Sequence, residues 1–162
     1  MNSNQATEFL PLIAVVFLIG LVPFAAMMVT SYTKIVVVLG LLRQALGVQQ
    51  VPPTMVLNGL ALIVSAYIMA PIFMDVADSM KTQGGSGSSI QQFGQVIDVA
   101  REPIRKFLEK HADKREKAFF LKSAEAVWPK ERAAQLKETD ILVLAPAFTL
   151  TELTEAFKIG FL

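Results

Sequence analysis

From Phe9 to Thr30 the chain runs twenty-two residues without a charge, close to the ~20 that a helix needs to cross a hydrocarbon core. Pro11 suits a first turn, whereas Pro23 removes an amide donor from the interior and is expected to bend or interrupt the helix. The next run, Ser31 to Leu46, is helical in character but carries Tyr32, Lys34, Arg43 and Gln44. Lys34 and Arg43 lie about two and a half helical turns apart, so they point to different sides and do not define one ligand pocket. Gly47 favours a helix end, and Pro52-Pro53 blocks continuation while restricting Val51 to extended backbone, which predicts a hairpin reversal over Gly47 to Pro53. Thr54 can cap the following helix, whose apolar run from Met55 to Met74 holds twenty residues and forms the second span-length segment. Within it, Asn58-Gly59 either lets another helix approach closely or marks a helix end in polar surroundings.

The pattern then changes. Gln83 to Ser89, QGGSGSS, has the composition of a flexible linker. Beyond it, Phe93, Val96, Ile97, Ala100, Ile104, Phe107 and Leu108 recur at three- and four-residue steps, which predicts an amphipathic helix over Ile90 to His111, bent at Pro103. Asp113 to Val127 predicts a further helix ended by Trp128-Pro129, and Lys130 to Lys137 a short one. At Asp140 the chain turns apolar again. Thr149-Leu150-Thr151-Glu152 has the spacing of a capping box, with Phe148 as its hydrophobic staple, so a helix is expected to begin there with Glu152 and Glu155 favouring its dipole. Its apolar stretch has just begun at Leu162, which reads as a truncated C-terminal hydrophobic region.

Composition sharpens this division. Hydrophobic residues make up 53% of the chain, charged residues 18%, and the net charge is +1. Between Phe9 and Met74 the only charges are Lys34 and Arg43, whereas acids and bases alternate from Asp98 to Asp140. A lone soluble monomer would not devote its first half to such sequence, and an ionisable side chain in a membrane-grade helix, costing roughly 2.5–3.5 kcal/mol, turns towards protein or water. Interleaved charges make no nucleic-acid face. Met1 to Glu8 lacks Lys and Arg, so the first apolar segment is expected to be retained rather than cleaved.

Catalytic chemistry finds no footing. The absence of cysteine removes thiolate and disulfide chemistry. The only histidine, His111, sits among Lys110, Asp113, Lys114 and Arg115 on what reads as a solvated helix face. Asp75 and Asp78 lack accompanying ligands of metal-binding character, and the expected capping role accounts for Glu152 and Glu155. Gly84, Gly85 and Gly87 have no following Lys and no preceding strand, so they form no phosphate loop. Met27-Met28, Met55, Met69 and Met74 sit in apolar runs where packing explains them. No catalytic, cofactor or metal residue is assigned.

Thr30 to Pro71, TSYTKIVVVLGLLRQALGVQQVPPTMVLNGLALIVSAYIMAP, closely resembles the SctR/FliP family of type III secretion export-apparatus proteins. Asp140 to Phe161, DILVLAPAFTLTELTEAFKIGF, is similar to a later block of the same family. The resemblance implies a subunit associated with the bacterial inner membrane that forms a pentameric, helically staggered ring with smaller and larger export-apparatus membrane subunits. It also implies that the ring is an entry gate for unfolded secreted proteins, a cone of bent hairpins with the charged region in the periplasm. The family continues beyond the position of Leu162, where its methionine-rich gasket lies, so no gasket residue is carried over. TSYTKIVVVLG and GVQQVPP resemble the virulence-associated injectisome branch more than the flagellar one.

The expected fold is therefore all-α: bent hydrophobic helical hairpins with an inserted charged helical domain, associated with a membrane. Residues 1–82 form the hydrophobic hairpin region, 83–89 the linker, 90–139 the charged, periplasmic helical domain, and 140–162 the start of the C-terminal hydrophobic region. Lys34, Arg43, Asn58, Phe148 and Glu152 are the candidate assembly contacts, with snorkelling to a membrane surface as the plainer role for Lys34 and Arg43. The expected partners are further copies of the chain, the other export-apparatus subunits, unfolded secreted proteins and lipid, with no nucleic acid. The alternatives are a flagellar export-gate subunit and a membrane anchor or adaptor without a pore. An intramembrane enzyme is disfavoured because the apolar segments lack His, Cys and acids.

Overall fold

A computed structural model of the chain describes residues 3–48, 51–82 and 89–162. The described residues are helical throughout their regular structure, in the order α1 (Ser3–Val29), α2 (Tyr32–Ala45), α3 (Thr54–Thr82), α4 (Ser89–His111), α5 (Lys114–Val127), α6 (Lys130–Ala133) and α7 (Ile141–Phe161). The expected linker lies outside the described residues up to Ser88.

Pro23 does not interrupt α1, which continues to Val29. The break falls instead at Thr30-Ser31, where the axis of Ile13–Val29 turns by 65° into α2. Local hydroxyls account for the position. The Tyr32 amide donates to Thr30 Oγ1 at 3.4 Å, a side-chain bond that competes with the helical ladder. The Thr33 hydroxyl donates to the Met27 carbonyl at 2.9 Å, satisfying an acceptor at the helix end. A proline costs its helix one ladder bond; here the paired hydroxyls favour a change of direction several residues later.

Gly47, at φ +70°, ends α2 in the left-handed conformation that glycine adopts without a Cβ clash. Arg43 then ties the hairpin together, its Nη1 donating to Thr54 Oγ1 at 3.1 Å and reaching the Pro52 carbonyl at 3.4 Å. The helix that follows is long and apolar enough to cross a membrane, and α1 from Ile13 together with α2 passes the same test as one bent pair. Along α3 only Leu57, Ala61, Ser65 and Met69 are buried, a single line at steps of four. Met55, Ile63, Tyr67 and Met74 are among the large side chains left exposed.

α4 passes through Pro103 and packs on α3 and α7. Asp113 caps α5, its Oδ1 accepting from the Arg115 amide at 2.7 Å, and α5 ends where Trp128 turns extended ahead of Pro129. The main core lies where α4 meets α7: Leu108, Ala112, Leu144, Ala147 and Phe148 are buried together, with Val29 and Phe120 packed against them from α1 and α5. Charged and apolar regions therefore share a core across the 139/140 boundary read from the sequence.

One expectation is overturned at α7. The helix starts at Ile141 after Asp140 and runs through Pro146, so Thr149 to Glu152 lies in its middle and cannot be a capping box. Phe148 is no staple: it is fully buried, with its ring 5.4 Å from that of Phe107, a burial worth about 1.5–3 kcal/mol. The proline loses one ladder bond, yet the buried stripe continues on both sides of it, and packing outweighs the defect. Asp140 also holds the preceding turn, its Oδ2 accepting from the Lys137 amide at 2.8 Å.

Candidate functional site

Glu152 lies in α7 between Phe148 and Ala156, four residues from each on the buried stripe, and is only 4% exposed. A carboxylate there needs a counter-ion, and α2 supplies it: Lys34 Nζ is 2.9 Å from Glu152 Oε1. The lysine side chain keeps 33% of its surface exposed against 6% for the glutamate. The pair therefore joins a buried acid to a base that still reaches the surface. Desolvating the acid is costly unless its partner stays in place.

The two helices also approach closely further along. A Cβ on Gly160 would stand 2.9 Å from Leu41 Cβ and collide with the rest of that side chain. Leu41 is seven residues beyond Lys34 and Gly160 eight beyond Glu152, so α2 and α7 run side by side in the same direction. The ion pair and the glycine contact fix their register at two points about 10 Å apart.

Two neighbouring threonines extend this polar belt. Thr149 Oγ1 is 3.1 Å from the Met28 carbonyl and 2.9 Å from the Ala145 carbonyl. Thr151 Oγ1 accepts from the Asp113 amide at 3.0 Å and donates to the Ala147 carbonyl at 2.8 Å. Within four positions α7 thus reaches the end of α1, the start of α5 and the first turn of α2. The sequence reading missed both threonine roles, although three polar residues in four positions of an apolar helix are the mark of such contacts.

The sequence-selected residues divide accordingly. Lys34 and Glu152 meet; Arg43 serves the α2–α3 turn; Phe148 belongs to the core. Asn58 is half-buried on α3, and among the described residues a Cβ on neighbouring Gly59 would meet nothing within 4 Å. Among the described residues no group of three or more His, Asp or Glu could hold a metal ion. His111 Nδ1 bonds the Phe107 carbonyl at 2.8 Å on an exposed face. The arrangement is suited to holding helices in register rather than to transferring protons or groups.

Comparison with known proteins gives this architecture its context. The model of the FliP family matches residues 15–162. The chain is 62% identical over 151 residues to "Pathogenicity-related ORF2" of Xanthomonas campestris pv. glycines, covering 93% of the chain and 70% of the relative. It is 60% identical to "Hypersensitivity response secretion protein HrcR" of Ralstonia nicotianae, covering 98% and 74% respectively. Against "Yop proteins translocation protein R" of Yersinia pestis it is 42% identical, again over 98% of the chain and 73% of the relative. The chain belongs to the FliP family, on the branch of the virulence type III secretion proteins.

Proposed function

We propose that this protein is a noncatalytic core subunit of the type III secretion export gate, assembling with copies of itself and with smaller and larger membrane subunits into a channel for unfolded secreted proteins. Its place in the export apparatus rests on the family and on relatives named for secretion and translocation. The observation that carries the oligomeric reading is the surface of α3, where one buried line leaves Met55, Ile63, Tyr67 and Met74 uncovered on a span-length helix. Exposed apolar area of this extent is a surface for lipid or for another subunit. In this reading the apolar helices belong to the bacterial inner membrane or are lifted from it on assembly, and α4 to α6 face the periplasm. Half-buried Asn58 and Gly59, whose Cβ position is unoccupied, serve contacts between subunits on α3, while the Lys34–Glu152 pair and Arg43 hold each subunit in the shape that assembles.

The test is the native mass of the full-length protein, extracted in detergent after coexpression with its neighbouring export-apparatus genes. A discrete five-copy core carrying further membrane subunits is expected. A persistent monomer would replace the channel with an anchor or adaptor. Lys34→Leu and Arg43→Leu are each expected to lower complex yield and secretion despite raising hydrophobicity; full yield and full secretion in both would remove these residues from assembly.

A further inference from the structure

Two later helices of this chain start from extended residues: Asp113, before α5, has ψ 144°, and Asp140, before α7, has ψ 138°. Ser31, before α2, does not share that geometry. Its φ of −65° and ψ of −3° keep it in the right-handed helical region, and its side chain makes no capping bond. The 65° bend between α1 and α2 is thus a helix interrupted rather than a helix begun anew.

In a continuous helix the carbonyls of Met27 and Met28 would accept from the amides of Ser31 and Tyr32, four residues on. Among the described residues neither bond is made. The Thr33 hydroxyl takes the Met27 carbonyl at 2.9 Å, Thr149 Oγ1 of α7 stands 3.1 Å from the Met28 carbonyl, and the Tyr32 amide turns to Thr30 Oγ1 at 3.4 Å. Thr33 and Thr149 therefore fill places that backbone amides could fill. Release costs Thr149 no bond, because its hydroxyl also lies 2.9 Å from the Ala145 carbonyl of its own helix. No proline occupies positions 31 to 34, so the ladder can close there. The rest of α1 does not fix its direction: Val29 packs on the core, but Ile13, Val16, Phe17, Leu21 and Phe24 are exposed.

We propose that Thr30-Ser31 is a two-state hinge, latched in the bent form by the hydroxyls of Thr33 and Thr149, whose release closes α1 and α2 into one continuous helix. Hydrogen bonds are exchanged instead of lost, which keeps the gap between the two forms small. Closing the 65° bend swings Ile13 by roughly 25 Å. A local exchange of bonds with α7 thereby decides where the exposed apolar surface of α1 lies.

Because the chain has no cysteine, Val16→Cys and Leu42→Cys place one spin label on each helix of the full-length protein in bilayers, with labelled subunits diluted in unlabelled ones. The two Cα atoms are about 33 Å apart across the bend and about 39 Å apart in a straight helix. Pulsed electron resonance on wild type is expected to show mainly the shorter distance. Thr33→Val and Thr149→Val should each raise the ratio of long to short about fivefold, and the double variant about twenty-five-fold, at the net worth of one hydrogen bond apiece. Ser31→Pro should abolish the longer distance, since proline fits the observed φ but lacks the amide that the straight helix uses. An unchanged distribution in the double variant, or a longer distance that survives Ser31→Pro, would overturn the hinge. Should the double variant fail to fold, Ser31→Ala decides in its place: alanine favours the continuous helix, and a distribution identical to wild type would overturn the proposal.

Discussion

α3 and α7 are both predominantly apolar helices of more than twenty residues, yet α3 buries four of its 29 residues and α7 six of its 21. Hydropathy does not separate them; the placement of polar and small residues does. In α7, Thr149, Thr151 and Glu152 each reach a different element, and Gly160 lets α2 come close. In α3 the buried line is narrow and Gly59 faces open space. An apolar helix becomes the centre of a subunit when its few polar groups find partners inside the same chain. Without them it remains a surface, available to lipid or to neighbours.

Removing the strongest of those partners should have the largest effect. Lys34→Leu leaves Glu152 buried without a counter-ion and is expected to destabilise the subunit by on the order of 3 kcal/mol, the low end for a broken buried pair because the lysine is partly solvated. Glu152→Leu leaves a lysine able to turn to solvent and should cost less, on the order of 1 kcal/mol. The double variant should recover most of the loss from Lys34→Leu. Thermal unfolding of the full-length protein in detergent gives the cycle; equal, additive losses from the two single variants would mean that the pair carries no coupling.

The same substitution in the two helices sharpens the contrast. Gly160→Ala forces α7 away from Leu41 and is expected to cost about 1–2 kcal/mol through overpacking. Gly59→Ala meets open space and should stabilise the isolated subunit by up to about 1 kcal/mol through helix propensity alone. Complex yield separates subunit folding from assembly: loss of yield with Gly59→Ala, at unchanged or higher subunit stability, places a neighbouring helix against α3. Indifference at both positions would erase the proposed difference between the helices.

Thr149→Val keeps the shape of the side chain and removes the hydroxyl between α7 and the end of α1. The expected loss is about 1 kcal/mol, the net worth of one hydrogen bond. Hydrogen exchange should show it as faster opening of amides near Met28, with the Lys34–Glu152 region unchanged. Uniformly faster exchange throughout the subunit would mean that the hydroxyl supports the whole fold rather than the α1 junction.

Much of this organisation was legible in the sequence, because the signals were local. Gly47 and the prolines marked the hairpin, Asp113 and Trp128-Pro129 bounded α5, and the three- and four-residue spacing marked α4. Two readings failed where a local rule met a tertiary contact. Pro23 was expected to bend or interrupt α1, but the helix is not interrupted there and the hydroxyls of Thr30 and Thr33 stabilise the break later. Thr149 to Glu152 matched a capping box, yet Leu144, Phe148, Glu152 and Ala156 fall at steps of four. That periodicity places the acid on the buried face of a helix already under way. The Lys34–Glu152 pair was not visible because 118 positions of chain separate the partners and neither residue's surroundings name the other.

The smallest expected effect lies on the outer side of α4, opposite its packed core residues, where surface charges flank Pro103. Pro103 removes one ladder bond there, and beside it Arg105 makes paired hydrogen bonds to Glu102 at 2.9 and 2.7 Å and reaches Glu109 at 2.8 Å. The hydrogen bond from Arg105, reinforced by its charge, holds the Glu102 carboxyl below the ordinary value of 4.5. A carboxyl lowered in the folded state contributes stability that is complete above that ordinary value and is lost as pH falls through the lowered one. The stability difference between wild type and Arg105→Ala, followed by circular dichroism, should therefore be constant from neutral pH to about pH 5 and shrink below pH 4.5; high salt should make it smaller at every pH and flatten that fall, because exposed ion pairs are weak and screened. A difference that persists undiminished in acid would show that Arg105 supports the proline turn through packing of its side chain, so that the outer side of α4 depends on contact as its core side does.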